Sequence, residues 1–389
     1  MAGTPEPVSG TRDITNLESA LRVVDMWDTI ILLNSDKKNF VTFTGGLGRR
    51  SVKNPKFDWQ TDEVMPPNDT TTASAASGGT TVAVTGDGSN ECYFTVNETL
   101  YVPSTGEQLL VTAVSARNLT VTRSHGDTAA ASIASGATVV RLAGAWTEMS
   151  TLRDSNGAYI STTNETVNNV NYTQFDRKAV ALGHRVKGSD TYGGNYRDHQ
   201  QLLKLLDMCA SYERSFLFGD LVAATSAQST TKGAWRFVPS ANQNTIVTLT
   251  EDDLETFIRG ATLDGSGDTK NLFAARPVKQ IISRLAGSSQ RIKPGESKYG
   301  VSIDEYTAGS GEKINIIGCR AFEESGESDS ALLVDPRDVR IAEFDGMGIK
   351  LYEDVQSNDQ LGSVDVYCAD IGYQAGNPSH SHRITGVTG

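Results

Sequence analysis

Apolar positions along the chain change their period several times, and each change marks an element. Leu17, Ala20, Leu21, Val24 and the run from Trp27 to Ile31 recur at three and four residues, which predicts an amphipathic helix ending near Asn34. Residues 1–13 ahead of it are rich in Gly, Pro and polar side chains and predict an extended arm. Phe40, Val41 and Phe43, followed by GGLGRR at 45–50 and KNPKFDWQTD at 53–62, predict strands joined by a flexible basic loop. Arg49, Arg50, Lys53 and Lys56 make that loop positive; it is either a solvated loop or a contact for an acidic patch on another subunit.

Between Thr70 and about Ala145 the pattern becomes short β-type runs: TTVAVTG, YFTVNETLYVP, EQLLVTAVSA, NLTVTRS and ATVVRLA. Turn residues such as Asp87-Gly88, Thr105-Gly106 and Arg117-Asn118 separate them, so this stretch predicts a small β-barrel or sandwich. From Glu148 to Gly194 the text is β-type again, in YISTT and VNNVNYTQFDRKAVALGHRVKG. Over 196–219, Leu202, Leu205, Leu206, Cys209, Tyr212 and Phe216 fall at helical spacing and predict the longest helix of the chain, facing inward and stopping at Gly219. Residues 220–240 predict a loop. Beyond it, Thr250 and Asp253 resemble a capping box opening the helix EDDLETFIRGAT, NLFAA predicts a strand, and PVKQIISRLAG predicts a helix with Pro277 in its first turn. KINIIGCRAF, ALLVDP, VRIAEFDGMGIKLYEDV and SVDVYCADIGYQAG predict strands, and the tail from Asn377 predicts an extended polar segment.

Composition narrows the partners. A formal net charge of −12 with 38% hydrophobic residues describes a folded acidic chain that disfavours broad contact with nucleic-acid phosphates. No run approaches the roughly 18 apolar residues of a membrane span. Cys92, Cys209, Cys319 and Cys368 are far apart and suggest neither a zinc knuckle nor a disulfide framework.

Candidate chemistry changes little. Phosphate-loop, nucleophile-elbow and zinc-helix motifs are absent from the sequence. Asp264, Ser266 and Asp268 resemble the start of a calcium loop, but Ala275 stands where a bidentate Glu is required. His380 and His382 could face one metal from a strand, yet no third ligand is evident and a disordered tail is the favoured reading. Asp252-Asp253 reads as a helix N-terminus and Glu323-Glu324 as a loop, not as acid and base. Trp27, Trp59, Trp146 and Trp235 are scattered and form no stacking platform. The sequence thus predicts no catalytic, cofactor-binding or metal residues.

The order of elements, with FDWQTDEV at 57–64, GEQLLVTAV at 106–114, LTVTRSHGDTAAA at 119–131 and TQFDRKAVALGHRVKGSDTYGG at 173–194, resembles the SU10-type major head family of tailed phages. That resemblance implies an α+β, Hong Kong 97-type (HK97-like) capsid fold. It also implies an amino-terminal arm over 1–45, an extended loop over 46–70 and 145–180, and an inserted β domain over 71–144. The peripheral domain would comprise 181–235 and 341–389 with its spine helix at 196–219, and the axial domain 236–340. The implied function is a non-enzymatic major capsid protein that self-assembles as hexamers and pentamers into an icosahedral head around double-stranded DNA, enclosed without sequence-specific binding. The implied partners are further copies of the chain, a portal protein, a separate scaffolding protein and a cement or decoration protein, with assembly in the bacterial host cytoplasm and no membrane. Rival readings are a phage tail-tube or decoration protein, against which the long helix argues, and a carbohydrate-binding surface protein.

Overall fold

The structure is a computed structural model and describes residues 39–86, 91–151, 153, 160, 166–189, 195–223, 228–263, 269–286, 292–298, 301–309 and 311–388. The expected arm over 1–13, the helix from Leu17 to Ile31 and the loop from Asp264 to Asp268 lie outside them. The chain divides into two compact units, Gln60–Asn169 and the combined segments Met1–Trp59 and Val170–Gly389.

Six strands build the sheet of the smaller unit. Asn68–Thr70 lies beside Thr138–Gly144, followed across the sheet by Glu98–Val102, Glu107–Ser115, Asn118–Thr122 and Thr81–Ala83. The two outer strands then meet. Thr71 bridges Val84, the Thr72 N–H donates to the Ala83 carbonyl at 2.9 Å, and the Thr85 N–H donates to the Thr70 carbonyl at 2.9 Å. The sheet therefore closes into a barrel. Alternation explains its core, because successive strand side chains face opposite sides. Leu100, Val102, Leu109, Val111, Leu119, Val82 and Val139 are all fully buried, while the Thr residues between them face out. The short strand Asn68–Thr70 was not expected, its three polar residues carrying no apolar alternation.

Among the described residues, two sheets lie wholly within the larger unit. In the first, Arg49–Val52 pairs parallel with Arg340–Phe344, which runs antiparallel to Gly362–Gln374, which in turn pairs along its length with Gln174–Gly183. Lys350–Tyr352 also joins Gly362–Gln374. The thirteen-residue strand Gly362–Gln374 alternates between buried and half-buried positions before becoming wholly buried at its end. Helix Tyr196–Phe218 packs on Gln174–Gly183 and Gly362–Gln374. At a rise of 1.5 Å per residue it spans about 35 Å. Asn195 caps its start by accepting from the Arg197 N–H, and the Gly219 N–H closes its end on the Ser215 carbonyl at 2.9 Å. A Cβ at Gly219 would meet the Ser215 and Thr231 carbonyl oxygens at 2.4 and 2.6 Å, so only glycine permits this close approach.

The second sheet has seven strands in the order Gln243–Thr245, His382–Thr385, Ala331–Val334, Thr269–Ala274, Lys313–Gly318, Val301–Thr307 and Ile292–Lys298. Helices Glu251–Leu263 and Arg276–Ala286 belong to the same lobe. Parallel and antiparallel pairings mix within the sheet, and Ala331–Val334 is buried at every position, as expected of a central strand.

Several expectations are corrected. Phe40, Val41 and Phe43 lie on a helix, Asn39–Leu47, and not on a strand. Phe40, Phe43 and Thr44 occupy one helical face and are buried, with the Phe40 ring 4.9 Å from Phe273 and 5.9 Å from Tyr373. Tertiary burial of one face thus overrides the local β preference of an aromatic and β-branched run. The basic stretch after it includes the strand Arg49–Val52. The 220–240 loop contains a helical turn, Ala234–Phe237, whose Trp235 and Phe237 are buried. Cys319 to Phe322 does not continue the preceding strand but turns into the helix Ala321–Glu324, and His184–Lys187 is likewise helical. The hairpin Ile292–Lys298 with Val301–Thr307 carries Pro294 beside a register shift, and proline obscured its strand character in the sequence. The tail from Asn377 is not extended and free: Pro378–His380 forms a helical turn and His382–Thr385 lies inside the seven-stranded sheet. Finally, the apolar face of the long helix is covered unevenly: Leu202 is 46% exposed and Leu205 only partly buried against the core, while Tyr212, Phe216 and Leu217 are buried.

Candidate functional site

Several charged groups among the described residues are closed by partners within the chain. At the start of the long helix, the Arg197 guanidinium grips the Asp365 carboxylate through two hydrogen bonds of 2.6 and 2.5 Å, and Gln201 adds a third at 3.0 Å. Arg197 holds the Asp365 carboxyl down to about 2, against the opposing effect of burial. This bidentate clamp joins the exposed half of the helix to the strand beneath it, where apolar contact is thin.

In the barrel, Glu107 and Arg123 are buried together, 2.6 Å apart. Burial opposes ionisation of Glu107, yet Arg123 and the N–H groups of Ser124 and Ala131 hold its carboxyl below the ordinary value. Arg123 also donates to the carbonyls of Ala76, Gly79 and Ala131, so one guanidinium ties several loops together. In the core of the larger unit, Glu213 accepts from the Cys319 thiol at 3.2 Å and from the Val41 N–H at 3.4 Å. Burial and that carboxylate push the Cys319 thiol well up, which suppresses thiolate formation.

The residues weighed in the sequence take structural places. Asp253 accepts from the Thr250 N–H at 3.2 Å and the Thr250 hydroxyl accepts from the Asp253 N–H at 3.2 Å, a reciprocal cap. Glu323 pairs with Arg276, and Glu324 with Arg214 and Arg320. Trp59 stacks on Phe57 and donates to the Gly376 carbonyl, Trp235 lies in the core, and Trp146 is half-exposed; Trp27 lies outside the described residues. Arg49 of the basic stretch finds an acidic partner within the chain, Glu343 at 3.0 Å. Cys92 and Cys319 are buried and Cys209 and Cys368 half-buried, and no disulfide joins them.

The two tail histidines separate. His382 is buried on the strand His382–Thr385 against the ring of Phe257, whereas His380 bonds through Nδ1 to Asp338, which raises its pKa. The acidic companions of His380 are Asp335 and Asp338, whose grouping the sequence alone did not show. A DPRD spacing placed just after a buried strand was the available signal.

No helix among the described residues is long and apolar enough to cross a membrane. The geometry is that of a framework: a long helix on a long strand, a closed barrel, and ion pairs that fix one element to another. A family model described as the SU10 major capsid protein matches residues 9–388. The chain belongs to the SU10 major capsid protein family. It is a major capsid protein of a phage head, and its mixture of helices and strands agrees with the α+β class expected from the sequence. The capsid protein is also similar to chains in solved structures. One from Microbacterium phage Oxtober96 has a TM-score of 0.48 at 11% identity, covering 95% of this chain and 97% of that one. One from the capsid of an empty GTA particle has a TM-score of 0.48 at 8% identity, covering 95% and 97%. One from an encapsulin complex of Synechococcus elongatus has a TM-score of 0.42 at 12% identity, covering 61% and 80%. No curated protein matches the capsid protein.

Proposed function

We propose that this capsid protein assembles as hexamers and pentamers into the icosahedral head of a tailed phage and encloses double-stranded DNA without sequence-specific binding. The family match over residues 9–388 carries the reading. Self-association follows from being a capsid subunit. Its other partners are a portal protein, a separate scaffolding protein and a cement or decoration protein, and assembly takes place in the bacterial host cytoplasm. The net charge of −12 supports a wall that contains nucleic acid without gripping it.

Within that reading, 1–45 is the arm, 46–70 with 145–180 the extended loop, 71–144 the outward-facing insertion, 181–235 with 341–389 the peripheral domain, and 236–340 the axial domain. The protein works through surfaces shared with neighbours and is not an enzyme. Negative-stain microscopy of the purified protein tests the proposal: capsomer rings or polyhedral shells are expected, and a population that stays monomeric at every concentration and with co-expressed scaffold would overturn it.

A further inference from the structure

We propose that Asp335, Asp338 and His380 bind one divalent transition-metal ion, of the Mn2+ or Zn2+ class, in the lobe of the seven-stranded sheet. One carboxylate oxygen of each acid and one imidazole nitrogen of His380 lie within 4.8 Å of one another. That spacing is about twice a metal–ligand bond length, the reach over which small side-chain rotations can close on one ion. Three donors from two segments distant in the sequence converge here. Asp335 follows the buried strand Ala331–Val334, Asp338 precedes Arg340–Phe344, and His380 ends the turn Pro378–His380.

A second observation points to a ligand. Asp335 is 1% exposed; its Oδ1 accepts from the Arg337 N–H at 2.9 Å, while its Oδ2 is buried with no hydrogen-bond partner. A buried carboxylate oxygen left unmatched is costly, and coordination to a cation is one of the few ways to satisfy it. The site is also held in shape. Gly376, with φ +47°, brings the His380 loop so close to Asp338 that a Cβ there would meet the Asp338 Cβ at 2.5 Å.

Two carboxylates with one imidazole mix hard and borderline donors, which suits Mn2+ or Zn2+ better than the all-oxygen preference of Ca2+. The ion would displace the hydrogen bond between His380 Nδ1 and Asp338, and the proton of that bond would be released on binding. The rival occupant of the same space is that proton alone. The buried ammonium of Lys270 donates to the His380 carbonyl at 3.0 Å on the backbone side of the site.

Titration of the metal-stripped full-length protein with MnCl2, read by the loss of the free Mn2+ electron paramagnetic resonance signal, separates the two. One Mn2+ per chain is expected, with binding weakened about tenfold or more in Asp335→Asn and in His380→Gln. Asp335→Asn is nearly isosteric; should it still fail to fold, His380→Gln, at a half-buried position, supplies the same comparison. Absence of a stoichiometric site in the wild type, or equal binding by the wild type and both variants, would overturn the proposal. Because the readout is metal bound per chain and not shell formation, it fails or succeeds independently of the assembly reading.

Discussion

The barrel core is aliphatic, with Leu100, Leu109, Val111, Leu119 and Val139 around Phe94, its one aromatic ring among the described buried residues. The core of the larger unit is threaded by rings instead. Phe40 and Phe43 meet Phe273 edge-on, Tyr212 touches Phe216, Phe216 touches Tyr373, and Trp235 touches Phe218 and Phe322. Connectivity differs in the same direction. Glu98–Val102, Glu107–Ser115 and Asn118–Thr122 pair as successive hairpins, whereas Gln174–Gly183 waits for Gly362–Gln374. Local pairing closes small loops at low entropic cost, and distant pairing does not. The difference teaches that the barrel can reach its structure from its own segment, while the larger unit depends on residues far apart in the chain.

That comparison can be broken. Phe273→Ala removes the ring on which both Phe40 and Phe43 rest and should destabilise the larger unit by about 3–5 kcal/mol. Hydrogen exchange on the full chain should then show lost protection around the long helix with the barrel amides unchanged. Arg123→Ala tests the reverse case. It strands the buried Glu107 with only the Ser124 and Ala131 N–H groups, and a loss of about 3 kcal/mol confined to barrel amides is expected. Equal loss of protection in both units, for either variant, would mean that they unfold as one.

Two smaller effects sharpen the picture within the larger unit. Because the Asp365 carboxyl is held at about 2, below its ordinary value, its stabilising contribution is full above about pH 4 and is lost as the pH falls toward about 2. Denaturant unfolding at pH 7 should show a loss of about 1–2 kcal/mol in Asp365→Asn, with a shallower acid dependence than the wild type. Thr250→Ala removes one half of the reciprocal cap on helix Glu251–Leu263 and should cost about 1 kcal/mol by the same assay.

Legibility followed the same division. The barrel strands carried their own alternation and their own turns, so EQLLVTAVSA and NLTVTRS announced a hairpin before any partner was known. The long helix was legible from its period and its stop from Gly219, whereas the Asn195 cap emerged only in the structure. Segments whose structure is set by distant partners were not legible. The run from Phe40 to Phe43 becomes helical because Phe273 and Tyr373 cover one face of it, and nothing local records that. The tail from Asn377 looked polar and free because its ordering comes from strands Gln243–Thr245 and Ala331–Val334 on either side of His382–Thr385. The Asp335, Asp338 and His380 grouping was hidden for the same reason, since a tail read as free gives His380 no neighbours.

The closure of the barrel through Thr71 and Val84 bears on how a shell protein survives its own abundance. A head is built from many copies of one chain, and an uncovered strand edge on each would offer every neighbour a row of backbone donors and acceptors. By pairing its first strand with its last, the barrel spends those groups on itself. The strand Gln174–Gly183, at the edge of its sheet, carries Asp176, Arg177 and Lys178, and fixed charges of this kind discourage indiscriminate pairing. Crowding then favours only contacts that side chains specify, and the lattice is protected from the cross-linked aggregates that flat, neutral edges would produce.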